Sequence, residues 1–317
     1  MPFDVLSTPK YFAQNVPVHG TISCMTWYVY ATIAAFFTAL GSIIEKRKLE
    51  HIHSVDFVVI QALLAGIFTT PILFLFPPSI LDFRIIGIAY GVSLLATIAM
   101  IDVVRGVRHL EISESAPLFL LNPLFTVLLG FLFLGERLLP IQVGGILLIL
   151  CGTYFLESDK IRDFRGFWKN LTGDHYARLI ILGMLIYSTT SILDRVALQR
   201  LGADPLYYLA YLQLFLALNF SAFFFYHKGS LLKLREILRR DWKSMFLIAF
   251  LTTAQRLMFA EAMKLASAGL VTTVKRSSSL FTTIIGGELL HDHQLLRKSI
   301  ACTIMIIGVL LVSGVTL

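Results

Sequence analysis

Long apolar runs broken by short polar stretches govern this chain from about residue 25 to its end. A helix needs roughly 20 mostly apolar residues to cross a bilayer core of about 30 Å. Runs of that kind lie near 25–44, 56–76, 85–104, 115–134 and 141–156, and again near 179–197, 205–226, 244–263, 268–290 and 299–316. They are continuous and not alternating, which selects helices over a β-barrel. The pattern predicts an all-α polytopic membrane protein with ten transmembrane helices. Its longest polar stretch, 157–178, carries Asp159, Lys160, Arg162, Asp163 and Arg165 and reads as a linker between two sets of five. An N-terminal segment, 1–24, precedes a first five-helix unit at 25–156, and a second unit follows at 179–317. Between the seventh and eighth runs, Leu231, Leu234, Ile237, Leu238 and Trp242 recur at helical spacing. Lys233, Arg235, Arg239, Arg240 and Lys243 fall mostly between them. That alternation suits a basic amphipathic helix at the membrane surface.

The two sets repeat each other. Pro123-Leu124-Phe125-Thr126-Val127-Leu128-Leu129-Gly130 aligns with Ser279-Leu280-Phe281-Thr282-Thr283-Ile284-Ile285-Gly286 at an offset of 156 residues. The same offset sets Glu136 on Asp292, Gly152 on Gly308 and Arg108 on Lys264. At an offset of 149, Ser42-Ile43-Ile44-Glu45-Lys46 meets Ser191-Ile192-Leu193-Asp194-Arg195. Five spans per half is an odd number, so the second half is expected to enter the bilayer inverted. Inverted repeats recur among secondary transporters, which hold their substrate near the midplane between the halves.

Each fourth helix ends in an acidic residue (Gly135-Glu136 and His291-Asp292). A glycine-containing fifth helix follows, with Gly144, Gly145 and Gly152 in one half and Gly308 in the other. With Ser191-Ile192-Leu193-Asp194-Arg195-Val196-Ala197-Leu198 and Lys275-Arg276-Ser277-Ser278-Ser279, these features resemble the EamA-type branch of the drug/metabolite transporter superfamily. The resemblance covers nearly the whole chain. It departs from the family pattern where Asp292 replaces the more usual Glu and where Glu288 interrupts an apolar run. It implies a solute carrier, often an exporter, with the substrate between the halves.

Composition sharpens the membrane reading. Charged residues are 15% and mean hydropathy is +0.77, against roughly 25% charged in soluble domains. Too few charges remain to cover a water-facing surface, so lipid is the expected surrounding. The net charge of +7 belongs to loops and headgroup-level positions, and no nucleic-acid partner is expected. Loops after odd-numbered spans hold 18 Lys and Arg against 6 on the other side. That bias places odd loops in the cytoplasm and both termini outside. Cys24, Cys151 and Cys302 lie far apart without metal or redox spacing. His51-Ile52-His53 and His291-Asp292-His293 lack further ligands, so no metal or cofactor is expected. Without a targeting tail or disulfide framework, a prokaryotic cytoplasmic membrane is the default location.

Candidate chemistry lies in the few ionisable groups within the spans, which cost roughly 2.5–3.5 kcal/mol each at a helix centre. Lys275 and Arg276 sit about 10–12 Å deep in the ninth run at 1.5 Å per residue. With Thr272, Ser279 and Thr283 they form one polar face, expected to line an aqueous cavity and attract a carboxylate or phosphate. Gln255 and Arg256 fall midway along the eighth run, where Arg256 is either a substrate ligand or part of a buried ion pair. Asn122, next to Pro123, and Tyr187 are further candidates for the path. Proline frees a backbone carbonyl, which suits a cavity wall. Asp102 and Glu288 are the candidates for proton coupling. The spacing of Asp102 to Arg105, and of Glu261 to Lys264, also permits local pairing. Glu136 and Asp292 are read as helix-end marks of the repeat.

The resulting expectation is a gradient-driven transporter, exporter or exchanger, of small polar or anionic metabolites. A flippase or carrier of a phosphorylated or lipid-linked sugar, or a non-transporting scaffold or sensor, are the alternatives. No nucleotide-binding domain, nucleophile elbow or metalloprotease helix appears, so no enzymatic activity is expected.

Overall fold

The computed structural model describes residues 21–49, 51–74, 82–110, 118–157, 174–226, 229–290 and 295–313. All of its regular structure is helical. In chain order come α1 (Thr21–Leu49), α2 (Ser54–Leu73), α3 (Phe83–His109), α4 (Leu121–Leu129) and α5 (Pro140–Glu157). The second half holds α6 (His175–Arg195), α7 (Pro205–Tyr226), α8 (Leu231–Leu265), α9 (Ala268–Arg276), α10 (Ser278–Leu290) and α11 (Leu295–Ser313). Six of these, α1 to α3 and α6 to α8, are long and apolar enough to cross a membrane. Three shorter apolar stretches, Leu121–Leu134, Pro140–Phe155 and Thr303–Val312, fall below that length. The expected ninth run is broken at Ser277, where the helical bonds restart with Leu280 N–H donating to Ser277 O at 3.0 Å.

Local chemistry explains the ends. Asp82 and Asp174 cap α3 and α6, accepting from the amides of Arg84 and Tyr176, each at 2.8 Å. Pro205 occupies the first turn of α7, where its missing N–H costs nothing. The fourth and sixth helices each continue into a π-helical turn, Gly130–Leu134 and Val196–Arg200. Each turn is followed by a glycine at positive φ, Gly135 (66°) and Gly202 (67°), a left-handed position that other residues adopt at a cost. Inside α8, Asp241 has φ −119° and ψ 19°. This kink separates the basic amphipathic segment read from the sequence from the span proper. Lys48, at the end of α1, holds the kink through an ion pair to Asp241.

The strongest contacts of the packing map are unchanged when the halves are exchanged. They are α5 with α11, α1 with α8, α3 with α6, and α2 with α7. Exchanging the halves turns the second pair into the third and leaves the other two in place. The α5–α11 crossing is tight. A Cβ on Gly145 would meet Gly308 O at 2.7 Å, and one on Gly308 would meet Gly145 O at 2.8 Å. Small residues let helix backbones approach closely in a membrane, which accounts for Gly145, Gly152 and Gly308. Buried hydroxyls of Thr69, Thr97, Thr126, Thr153 and Thr273 donate to carbonyls four residues earlier, so they enter an apolar interior satisfied. The outer face carries Ile67, Phe131, Leu132, Phe133 and Phe250 with more than half of their surface open, an arrangement stable in lipid and not in water.

Candidate transport cavity

A cavity of about 470 Å³ lies between the halves, lined by α1, α3, α4, α6, α7, α8, α9 and the start of α10. Six of the residues singled out from sequence line it: Asn122, Tyr187, Gln255, Arg256, Lys275 and Arg276. Lys275 and Arg276 fall in the last turn of α9, beside the break at Ser277. There the partial negative end of a short helix favours cations. Lys275 Nζ lies 4.6 Å from the centroid of the Phe259 ring, and no carboxylate comes within ion-pair distance of it among the described residues.

Arg276 shows what Pro123 does. The carbonyl four residues before a proline loses its helical donor, and here that carbonyl is Phe119 O. Arg276 Nη2 donates to it at 2.6 Å, and the guanidinium lies 5.9 Å from the Phe119 ring. One half breaks its helix and the other fills the gap. Asn122 O accepts instead from the hydroxyl of Ser188 at 2.8 Å.

Arg256 projects from the middle of α8 and donates to Gln213 Oε1 at 3.2 Å. It forms no ion pair within 4 Å among the described residues. Gln255 is 8% exposed, and its Nε2 is a buried donor without a partner among the described residues. A donor in that state costs about 1–3 kcal/mol unless a ligand or water meets it. Tyr187 donates to Met100 Sδ at 3.3 Å.

The coupling candidates fare differently. Asp102 stands on α3 outside the cavity lining and makes no ion pair with Arg105. Glu261 and Lys264 likewise do not close to ion-pair distance. The side chain of Glu288 lies outside the described residues, as do Asp292 and its flanking histidines. Ser279 is absent from the cavity wall. Its hydroxyl donates to Arg276 O at 3.1 Å and approaches Met305 Sδ, so past the break the wall is continued by Ser278 and not by Ser279.

The acid that does line the cavity is Asp194, which sequence reasoning used only to mark the repeat. Tyr208 Oη donates to Asp194 Oδ1 at 2.5 Å, and both residues face the cavity. A signal was present: Glu45 and Asp194 are acids at the same register of the first and sixth spans. Next to Asp194, Arg195 turns away from the cavity and braces the halves. It donates to Glu136 Oε1 at 3.2 Å and to the carbonyl of Met263. Glu136 also accepts from the Ala268 amide at 3.4 Å. Burial raises the Glu136 carboxyl above its ordinary value, while Arg195 and that amide pull it back.

The sequence model of the EamA-like transporter family matches residues 25–158 and again 176–314. No curated protein matches the chain. A solved crystal structure superposes with a TM-score of 0.70 over 92% of this chain and 96% of its own, at 15% identity. At that identity the likeness is one of fold.

Proposed function

This chain belongs to the EamA-like transporter family, and we propose that it is a gradient-driven carrier, exporter or exchanger, of small anionic metabolites. As an integral multi-pass membrane protein of a transporter family, it carries the architecture such a role requires. The observation that bears most weight is the charge of the cavity wall. Arg256, Lys275 and Arg276 face one carboxylate, Asp194, in a space of about 470 Å³. That size lies within the usual range for small-molecule sites. An excess of cations in a poorly solvated space attracts a carboxylate or phosphate. Lys275, Arg256 and the free amide of Gln255 bind the acid group, and the phenols of Tyr187 and Tyr208 with Asp194 meet the polar remainder.

The ten spans form two five-helix repeats inserted with opposite orientation, and the halves rock about this site. Asp194 is the acid placed to exchange a proton with the transport cycle. A non-transporting scaffold would pack its polar face dry, and the open cavity speaks against it. The volume favours a soluble metabolite, phosphorylated sugars included, over a lipid-linked sugar.

The test is a thermal-shift screen of purified protein against carboxylate and phosphate metabolites, repeated on Lys275→Ala and Arg256→Ala. A ligand that stabilises the wild type and neither variant supports the reading. Stabilisation that survives both changes sinks it.

A further inference from the structure

A second cavity, of about 460 Å³, lies outside the transport cavity where the start of α2 and the ends of α3 and α7 meet the start of α8. Its wall is divided. Arg105 and Arg108 from the last turns of α3, with Lys233 from the amphipathic segment, supply three cations against one acid, Asp56. None of the three is ion-paired among the described residues, and their side chains are exposed. The opposite wall is apolar: Phe220, Phe223 and Phe224 share one face of α7, and Phe220 and Phe224 are buried. The surroundings point to lipid. Phe225 and Tyr226, which follow this wall, and Leu231 and Leu232, which precede Lys233, are 59–84% exposed. Apolar side chains so open are stable against acyl chains, while the lysine beside them reaches the headgroup level.

We propose that this cavity binds an anionic glycerophospholipid, its phosphate held by Arg105, Arg108 and Lys233 and its glycerol and upper chain packed on the phenylalanine face. Basic pockets between helix ends are a recurring form of lipid headgroup site. Met100 lines both this cavity and the transport cavity. A bound lipid therefore rests one side chain away from the substrate, on the helix that also supplies its phosphate ligands. His53, on the rim, is the remaining titratable group facing the pocket.

The experiment is native mass spectrometry of delipidated full-length protein titrated with dioleoyl phosphatidylglycerol or dioleoyl phosphatidylcholine. The wild type is compared with Arg105→Gln/Arg108→Gln/Lys233→Gln. The wild type is expected to retain one phosphatidylglycerol and to prefer it over phosphatidylcholine. The triple variant should bind it at least about tenfold more weakly with an unchanged lipid-free melting temperature. Should the triple variant fail to fold, Arg105→Gln and Lys233→Gln singly are each expected to weaken binding about fivefold. Glycerol 1-phosphate serves as competitor. Retention against it assigns the site to the lipid, and displacement by it assigns the same cations to soluble phosphate esters and overturns the lipid assignment. Equal retention of both lipids by the wild type, or of phosphatidylglycerol by wild type and variants, also overturns it.

Discussion

The two halves share a plan, yet the chemistry of the cavity comes from one of them. At equivalent positions Thr38 answers to Tyr187, Met100 to Arg256, Phe119 to Lys275 and Asn122 to Ser278, and all eight residues line the cavity. The first half contributes methionine and phenylalanine where the second contributes arginine and lysine. The fourth-position helices begin or break within one residue of the matching place, at Leu120 and Ser277. The first half uses the broken place to present a bare carbonyl and the second to present cations. The shared plan therefore supplies the container, and divergence within it supplies the charge of its wall. Duplication alone would have given either six cations in mutual repulsion or none.

The comparison can be broken at its centre. Giving the second half the residues of the first, Lys275→Phe with Arg256→Met, should weaken binding of an anionic ligand at least about a hundredfold, since each charged hydrogen bond is worth about 1.5–3 kcal/mol. Calorimetric titration of the folded variant reads this directly. The reciprocal change, Phe119→Lys in the wild type, adds a cation opposite Arg276 and should weaken the fold without improving affinity.

Asp194→Asn tests the cavity acid. Uptake into proteoliposomes driven by a pH gradient should be lost while equilibrium exchange of labelled substrate persists. If the gradient still drives uptake, coupling resides elsewhere. Asp102→Asn, which removes an acid outside the cavity, is expected to leave both assays unchanged.

The α5–α11 crossing offers a smaller and purely structural contrast. Gly145→Ala drives a methyl into the facing backbone and should cost about 1–3 kcal/mol in thermal unfolding. Its neighbour Gly144 has nothing within 4 Å of the added Cβ, so Gly144→Ala should leave the melting temperature unchanged or slightly raised. Smallest of all, Glu136→Gln keeps an acceptor for Arg195 and the Ala268 amide and should lower stability by about 1 kcal/mol. A larger loss would mean that the brace between the halves depends on full charge.

Much of the wall was legible beforehand, for reasons that can be traced to particular residues. Lys275, Arg276 and Arg256 stood out because an ionisable group in an apolar run requires a compensating surrounding, and a cavity is one of the few available. Ser279 was misplaced because an unbroken helix was assumed. No glycine or proline lies between Leu270 and Ile285 to mark the break at Ser277. Asp102 was named as an acid within a span while Asp194 entered only as a mark of the repeat, because sequence says nothing about which neighbour a face meets.

By itself, then, the sequence determined the solvent, the helices, the duplication and the unusual cost of a few side chains, because hydropathy and periodicity are local properties. Tertiary structure decided which costly groups share one space. Tyr208 reaching Asp194, Arg276 filling the vacancy left by Pro123, and Arg195 turning from the cavity toward Glu136 all join residues on different helices. Periodicity gives the direction of a side chain about its own axis, and only packing gives that direction a partner.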